Sequence, residues 1–350
     1  MDETPAKVTI DQLGCGSALQ LARETSPSCV EELRHWPGEP PIFLCKAQDV
    51  LYLPGALDVG QSLQVIADFV PVEGILDPFT LEFVKQKRLF RKITRYDREF
   101  TAQRLDRDVC ILGNVFSRNF THWHEELFKV CILRAAGVEC DFVFSRLPGF
   151  ARESLLLLGI PESRIHDIDW PTRFRSAFYS TPINYENVWR YPGVLLSLRE
   201  ALNAAAQVDA PRCGPRLWLD RGEQTRLGRK LVNAEEVHRC LEEFGFEHFD
   251  MGSVPLARQI AVAQRMQAMA GLHGSQFVHS QLMPARSLVI ECFSPLYLNP
   301  TYTSIYHVLD HRYCQVTATN TPVHPYRHGG DVEVDCLQLR LALKQASCRQ

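Results

Sequence analysis

The chain has 350 residues, 45% of them hydrophobic, and a formal net charge of −3. Its length allows two domains with substantial cores, and its near-neutral charge argues against a strong overall attraction to nucleic acid or to an anionic membrane. The 12 cysteines mostly stand singly in apolar runs and form no Cys-x-x-Cys pair, which predicts reduced thiols and no structural zinc site.

Residues 1–208 are predicted to form an N-terminal α/β domain. Apolar and β-branched runs indicate strands, and helical spacing of apolar residues indicates helices. The predicted strands are 42–45, 50–53, 63–70, 109–112, 141–144, 164–168 and 178–181, and the predicted helices are 120–136, 148–158 and 191–208. A cluster of Lys and Arg at 81–100 is interpreted as a solvated helix face, and contact with an anionic substrate or membrane surface is the alternative.

A second alternation of strands and helices follows a linker at 210–215. We assign 209–330 to a Rossmann-like C-terminal domain and 331–350 to a C-terminal helix that packs back on the body. The predicted elements are strands at 216–219, 246–250 and 313–316, helices at 234–244, 256–267, 301–309 and 332–344, and a strand–turn–helix–strand unit at 266–291. Asn233 as N-cap, with Glu236 at the capping-box position, would begin the helix at 234. The alternation predicts parallel sheets, with ligands in the cleft between the halves.

A cation-rich loop directly follows the predicted strand 216–219. The loop reads RGEQTRLGRKLVN and carries Arg221, Arg226, Arg229 and Lys230. Cations crowded on one loop repel each other unless an anion offsets them, and the arginine fork matches phosphate oxygens. The N-terminus of the next helix would add its dipole. The loop therefore predicts a phosphate site, with a solvated basic loop as the alternative.

The stretch 266–291 places further polar groups at strand ends. Its first strand leads into His273, Gly274 and Ser275, where a helix N-terminus would offer free N–H groups to an anion. Its second strand ends at Glu291, which could accept hydrogen bonds from ribose hydroxyls. A structural histidine, and an ion pair between Glu291 and an arginine, are the alternatives. No Gly-x-Ser-x-Gly surrounds Ser275, which argues against a hydrolase nucleophile there.

The first half contributes a polar cluster near the start of the predicted helix 120–136. His122 and His124 stand two residues apart, and Glu125 and Glu126 are expected to begin the helix. We interpret one of His122, His124 and Glu125 as a general base, because such groups suit proton transfer near neutral pH. The alternatives are a zinc-binding His-x-His pair, and helix capping with a packed His–Trp pair.

Taken in order, these motifs resemble those of glycosyltransferase family 61. Its Arg…Arg-Arg-x-x-Asn-Glu pattern resembles Arg221, Arg229-Lys230, Asn233 and Glu235 of this chain, and the Gln of its Glu-Gln helix resembles Gln259. Its Gly-x-His-Gly-Ala motif resembles Gly271 to Ser275, and its Val-Ile-Glu strand resembles Val289 to Glu291. In the first half, its His-Trp pair resembles His122-Trp123. The similar region covers about residues 110–318. Lys230 in place of Arg, and Gln276 to His279 in place of Gly-Leu-x-Asn, depart from the pattern and point to a different donor pocket.

The resemblance implies a GT-B fold, in which two Rossmann-like α/β domains face each other across a cleft. It further implies a nucleotide-sugar donor, with a UDP-sugar expected, inversion at the anomeric carbon, no cofactor and no obligate metal. The family includes eukaryotic O-linked GlcNAc transferases of the secretory pathway, plant xylan-decorating enzymes, and bacterial proteins of capsule or lipopolysaccharide synthesis.

We therefore expect sugar transfer from a nucleoside diphosphate sugar to a glycan or other acceptor hydroxyl. The expected donor-binding residues are Arg221, Arg226, Arg229, Lys230, Asn233, His273, Gly274, Ser275 and Glu291, and the expected base is among His122, His124 and Glu125. The cations would stabilise the leaving diphosphate, and the transition state would resemble an oxocarbenium ion. A nucleotide-sugar epimerase, a metal-dependent hydrolase using His122 and His124, and a non-catalytic nucleotide-sugar binding module are the alternatives.

The N-terminal stretch is acidic and polar, without the apolar core of a signal peptide, and no apolar run reaches the roughly 20 residues that span a bilayer. Within the family that the chain resembles, this favours a bacterial cytoplasmic enzyme, and the resemblance then implies a role in surface polysaccharide synthesis. Its expected partners are the nucleotide sugar and the glycan acceptor, not nucleic acid. Peripheral contact with the inner face of the membrane, or with a polysaccharide-assembly complex, is compatible with this expectation.

Overall fold

The computed structural model describes residues 30–52, 58–59, 65–66, 103–113, 117–170, 172–220, 230–295, 297–319 and 331–347. These residues divide into two compact units. The first contains the residues up to 156 together with 160–184, and the second contains 157–159 and the residues from 185 on. The basic run 81–100, most of the predicted strand 63–70, and Arg221, Arg226 and Arg229 lie outside the described residues.

The described part of the first unit contains a mixed sheet of eight strands. They are β1 (Val30–Leu33), β2 (Ile42–Tyr52), β3 (Asp58–Val59), β4 (Val65–Ile66), β5 (Gln103–Ile111), β6 (Asp141–Phe144), β7 (Ile165–Asp167) and β8 (Thr172–Ser180). The order is β4-β3-β2-β8-β5-β6-β7, with β1 beside β2. The pairs β8–β5, β5–β6 and β6–β7 are parallel, whereas β2 pairs antiparallel with β8.

Two predicted short strands, 42–45 and 50–53, form the single strand β2 instead. The sequence prediction relied on apolar runs, so it divided the strand at the polar residues between the two segments. Backbone pairing with β8 continues through Lys46 and Gln48, since ladder hydrogen bonds do not depend on side-chain polarity. The Lys46 Nζ atom finds its own partner in Asp108 Oδ2, at 2.9 Å.

The helices of this region are α1 (Phe120–Ala135) and α2 (Gly149–Leu157). The predicted helix 120–136 is confirmed, and its apolar positions are buried. Asn119 caps α1 by accepting a hydrogen bond from Thr121 N at 2.9 Å. Gly137 follows at a positive φ of 68°, which glycine adopts without steric cost. Glu125 and Glu126 therefore lie in the second turn and do not begin the helix.

The second unit contains a sheet whose five described strands are all parallel. The strands are β9 (Arg216–Leu219), β10 (Glu247–Phe249), β11 (Ala268–Leu272), β12 (Leu288–Phe293) and β13 (Arg312–Thr317), in the order β10-β9-β11-β12-β13. The α-helices are α3 (Pro192–Ala205), α4 (Ala234–Glu242), α5 (Leu256–Ala263), α6 (Thr303–Val308) and α7 (Cys336–Ser347). The predicted parallel sheet of the second half is confirmed.

Helices cover this sheet through apolar contacts. Trp218 and Ile290 are buried with Val237 of α4 and Leu339 of α7 in one core cluster. The helices α3 and α5 contact a 3-10 helix at Ser275–Leu282. The predicted helix 256–267 ends earlier, at Ala263. The α/β class is therefore observed, whereas the GT-B arrangement and the domain boundaries at 208 and 330 stay predictions.

No helix among the described residues is both long enough and apolar enough to cross a bilayer.

Candidate functional site

The end of β11 packs so closely against β9 that there is no room for a side chain at Gly271. A Cβ atom at Gly271 would lie 3.1 Å from the carbonyl oxygen of Leu219 and 2.8 Å from Nε2 of Gln276. That amide donates to Leu219 O at 3.1 Å and to Leu272 O at 3.0 Å, so it ties the two strand ends together. Gln276, which departs from the family pattern, is therefore part of the framework beside His273.

His273 and Glu291 form a buried pair at the carboxyl ends of neighbouring strands. Gly271 lies opposite Glu291 in the β11–β12 ladder, and His273 N donates to Cys292 O at 2.8 Å. This register brings Nδ1 of His273 within 2.6 Å of Glu291 Oε1. The residues are only 8% and 1% exposed. A carboxylate bonded to Nδ1 fixes the orientation of the ring and leaves Nε2 for another contact.

Two tyrosines complete the surroundings of the Glu291 carboxylate. Tyr306 of α6 donates its hydroxyl hydrogen to Oε2 at 3.1 Å, and Tyr313 of β13 lies near the same carboxylate. Burial and the neighbouring carboxylate raise the pKa of both tyrosines, so both remain protonated donors near neutral pH. Glu291 thus hydrogen bonds to His273 and Tyr306, and among the described residues its ion-pair partner is His273, not an arginine.

Sequence reasoning missed Tyr306 and Tyr313. Both lie in elements that it predicted correctly, the helix around α6 and the strand around β13, but it assigned neither residue a role. A signal was available, because the parallel order places β13 beside β12 and a tyrosine hydroxyl in a core usually finds a polar partner. Burying a glutamate without hydrogen-bond partners costs free energy. The glutamate at the end of the apolar strand β12 therefore predicts hydrogen-bond donors nearby.

Aromatic rings enclose His273. Phe293 stacks on the imidazole with a centroid distance of 4.7 Å and an interplanar angle of 23°. The rings of Tyr297 and Tyr302 lie at 5.3 and 5.7 Å. This packing holds the imidazole in one orientation and restricts water around its bond to Glu291.

Ser275 begins the 3-10 helix Ser275–Leu282, not the predicted α-helix. The backbone of Gly274 is extended, with φ of 166°, so it requires no left-handed conformation. The residues from Phe277 to Leu282 are all buried, so this connection between β11 and β12 lies in the core of the second unit. The assignment of Gly274 and Ser275 to donor binding stays a prediction.

His279 is buried within that 3-10 helix. Its Nδ1 lies 2.8 Å from Gln276 O and its Nε2 lies 3.0 Å from Gln259 Oε1. Gln259 also donates to Val254 O at 2.9 Å. Gln259, one of the residues that resemble the family pattern, thus links α5 to the 3-10 helix beside His273.

The pH dependence of stability should report on His279. Burial lowers the pKa of His279 to about 4, whereas an unperturbed histidine titrates near 6.5. Between these values the unfolded chain binds a proton that the folded chain does not. We therefore expect the free energy of unfolding to fall as pH is lowered from about 6.5 to about 4, by up to about 3 kcal/mol from this group. Denaturant melts across this range should give a flatter pH dependence for His279→Gln, and equal slopes for both proteins would contradict this.

Lys230 and Asn233 bind the C-terminal segment of the chain. Lys230 N donates to Asp331 Oδ1 at 3.0 Å. The Asn233 amide donates to Val334 O at 2.8 Å and accepts from Val334 N at 3.0 Å. Asn233 occupies the N-cap position of α4 but makes no side-chain capping bond, so the predicted capping box is wrong. The helix predicted at 332–344 begins only at Cys336, because residues 331–334 form these bonds.

The helix α1 separates the candidate bases of the first unit. His122 is 41% exposed in its side chain, and its Nδ1 lies 2.9 Å from Glu125 Oε2. His124 is 1% exposed and packs against the ring of Phe120 at 4.4 Å. Trp123 is fully buried and donates to Ser154 Oγ at 2.7 Å. Residues two apart on a helix point in nearly opposite directions, so His122 and His124 differ in environment.

The metal-dependent hydrolase alternative is unsupported. It requires His122 and His124 to share one metal ion, yet His122 is partly exposed and His124 is buried. Among the described residues, the side chains grouped closely enough to hold a metal include neither of them.

Comparison with known proteins gives one family. Residues 120–290 match the family model described as Glycosyltransferase 61. This range contains His122, Lys230, Asn233 and His273, and it stops one residue before Glu291. No curated protein matches the chain. A solved structure of a mutant flavo di-iron protein from Thermotoga maritima aligns with 91% of this chain and 98% of its own, at 8% identity and a TM-score of 0.27. That likeness carries no inference about fold or function. The match over residues 120–290 supports membership in glycosyltransferase family 61, as the order of the motifs predicted.

Proposed function

We propose that the protein transfers a sugar, with inversion and without a catalytic metal, from a nucleoside diphosphate sugar to an acceptor hydroxyl. The observation that carries this proposal is the family match over residues 120–290. The buried His273–Glu291 pair at a strand end of a parallel sheet supports it, because ligands of such sheets bind at the carboxyl ends of the strands. A UDP-sugar donor, a glycan acceptor and a role in bacterial surface polysaccharide synthesis belong to this proposal.

In this mechanism His273 contacts the leaving diphosphate. Its Nδ1 is engaged by Glu291 at 2.6 Å, which leaves Nε2 as the ring nitrogen for a phosphate oxygen. As the glycosidic bond breaks, negative charge develops on the diphosphate, and a donor already held in place stabilises that charge without reorganisation. The aromatic rings around His273 supply the rigidity. Glu291 is then a positioning residue, and any contact between Glu291 and a ribose would be additional to its bonds with His273 and Tyr306.

The cations that follow β9 supply the remaining charge in this mechanism. Arg221 and Arg229 would bind the diphosphate, since each guanidinium can bond two phosphate oxygens at once. They would thereby fill the role that a metal ion has in other transferases. Lys230 contributes its backbone to Asp331, which leaves its ammonium group available for the same anion.

His122 is the proposed general base. Glu125 Oε2 orients its ring through Nδ1 at 2.9 Å, and the side chain is 41% exposed, so an acceptor hydroxyl can reach it. His124 is buried against the ring of Phe120, and we assign it a packing role. Proton removal by an oriented histidine typically contributes about 10²- to 10⁴-fold to the rate.

Binding of nucleotide sugars tests the proposal directly. We expect one member of a nucleotide-sugar panel to stabilise the protein in the presence of EDTA, because the proposed diphosphate site contains no metal. Mass action predicts roughly 2.7 kcal/mol at about a hundredfold excess over the dissociation constant. The measurement is the melting temperature with and without ligand at one EDTA concentration. Failure of every nucleotide and nucleotide sugar, or a shift that requires metal, would sink the proposal.

Arg229→Ala should abolish that stabilisation, because it removes a bidentate phosphate contact. The matched control is Arg286→Ala, which removes an arginine of the same unit that is 82% exposed in its side chain and pairs with Asp310 at the surface. The control should keep the full shift. An unchanged shift in Arg229→Ala would remove the cation-rich loop from the site.

The same panel separates the other candidate functions. An epimerase would convert the donor without any acceptor, and a binding module would bind the donor without turnover. Product analysis with and without an acceptor glycan therefore distinguishes all three functions.

A further inference from the structure

Three elements of the second unit bring together Asp220, His238 and His248. Asp220 directly follows β9, and its backbone N–H donates to Phe249 O of β10 at 3.0 Å. His248 lies on β10 opposite Trp218 of β9, and His238 lies on α4. Alternate residues of a strand point to the same face, so Trp218, Asp220 and His248 share the face that α4 covers.

The three side chains are close enough to share one ion. One possible ligand atom from each lies within 4.8 Å of the other two. His248 Nδ1 and Asp220 Oδ2 are 3.3 Å apart, and the imidazole rings of His238 and His248 are 3.5 Å apart at their centroids. In a tetrahedral site with metal–ligand bonds of about 2.0–2.1 Å, ligand atoms are roughly 3.4 Å apart. The observed spacing therefore needs little adjustment to accept a metal.

The surroundings of the cluster resemble a supported metal site more than an ordinary ion pair. The 3.3 Å separation of His248 and Asp220 is long for a charge-assisted hydrogen bond. The indole of Trp218 donates to Asp220 Oδ1 at 3.0 Å, which orients the carboxylate and leaves Oδ2 toward His248.

We propose that Asp220, His238 and His248 bind a divalent transition-metal ion, with zinc as the matching ion. Two imidazole nitrogens and one carboxylate oxygen are typical zinc ligands, and the fourth position would hold water or another small ligand. All three residues are only partly buried, so an ion can enter. The ion would tie the end of β9 to β10 and α4, at the point where the cation-rich loop begins in the sequence. This site lies outside the proposed transfer chemistry, which uses no metal at the diphosphate.

Metal content of the full-length protein tests the site without any substrate. We expect the purified chain, loaded with zinc and gel-filtered, to retain one zinc per molecule by atomic spectroscopy. Asp220→Asn, His238→Gln and His248→Gln should each lower zinc affinity by about 100-fold or more, since each removes one of three ligands. The matched control His307→Gln replaces an exposed histidine of α6 in the same unit and should retain zinc as the unmodified chain does.

Cobalt substitution identifies the ligands, because the chain also contains free thiols. A site of two histidines and one aspartate should give visible cobalt absorption without a sulfur-to-cobalt charge-transfer band. Zinc should also raise the melting temperature of the unmodified chain and of the control, but not that of the three variants. Full zinc retention by the variants, a thiolate band, or no zinc retention by the unmodified chain would overturn the proposal. None of these outcomes depends on nucleotide-sugar binding, so the two proposals fail separately.

Discussion

His273→Ala is expected to lower kcat for sugar transfer by roughly 100- to 1000-fold, the usual loss when one preorganised donor to developing negative charge is removed. The imidazole is held by Glu291 at 2.6 Å and by aromatic packing, so no neighbouring group replaces it. Steady-state kinetics with the donor found by the thermal-shift panel gives kcat and KM separately. His307→Ala, an exposed histidine of α6, is the matched control and should retain full activity.

The partnership of His273 with Glu291 can be measured by a double-mutant cycle. Glu291→Gln should lower kcat more than it changes KM, because it disturbs the orientation of His273 and not the bulk of donor binding. If Glu291 acts through His273, the double variant should be no slower than His273→Ala alone. Additive losses would assign Glu291 an independent role, such as a ribose contact. Tyr306→Phe keeps the ring and removes one donor to Glu291, and it should change kcat in the same direction but less.

His122→Ala is expected to lower kcat by about 10²- to 10⁴-fold, because the acceptor hydroxyl would lose its general base. The nucleotide-sugar thermal shift should remain, since the base does not bind the donor. Glu125→Gln should lower kcat in the same direction by weakening the orientation of the His122 ring. Transfer at the unmodified rate by His122→Ala would contradict this assignment.

His124→Ala separates packing from catalysis on the same helix. The side chain is 1% exposed, so its removal leaves a cavity and should cost about 2 kcal/mol or more in the free energy of unfolding. Below its lowered melting temperature, that variant should retain transfer activity. A loss of activity with unchanged stability would make His124 the base instead.

Local pattern was enough to predict most elements of the second unit. The strand Arg216–Leu219 and the helices around α4 and α6 follow from hydrophobic periodicity and turn residues, which depend only on neighbours in the chain. The order of strands and helices likewise predicted a parallel sheet, since parallel strands require crossover connections. The predicted bounds were wrong where backbone pairing with residues distant in the sequence sets the structure. This is the case for β2 in the first unit and for residues 331–334 in the second.

The sequence predicted some residues of the candidate site but not the contacts between them. His273 and Glu291 stood out because each follows a strand, and parallel strands end at the same edge. Their direct bond did not stand out, because it depends on the register of β11 and β12. The partners Tyr306 and Tyr313 depend on the packing of α6 and β13 against that edge.

By itself, the sequence determined the α/β class, the parallel sheet of the second unit and the family, because periodicity and motif order are properties of the chain alone. Only the tertiary structure decided which polar groups meet. It joined His273 to Glu291, exposed His122 while burying His124, turned Asn233 toward Val334, and gathered Asp220, His238 and His248. The reason is that side-chain encounters depend on strand register and helix packing, which involve residues far apart in the sequence.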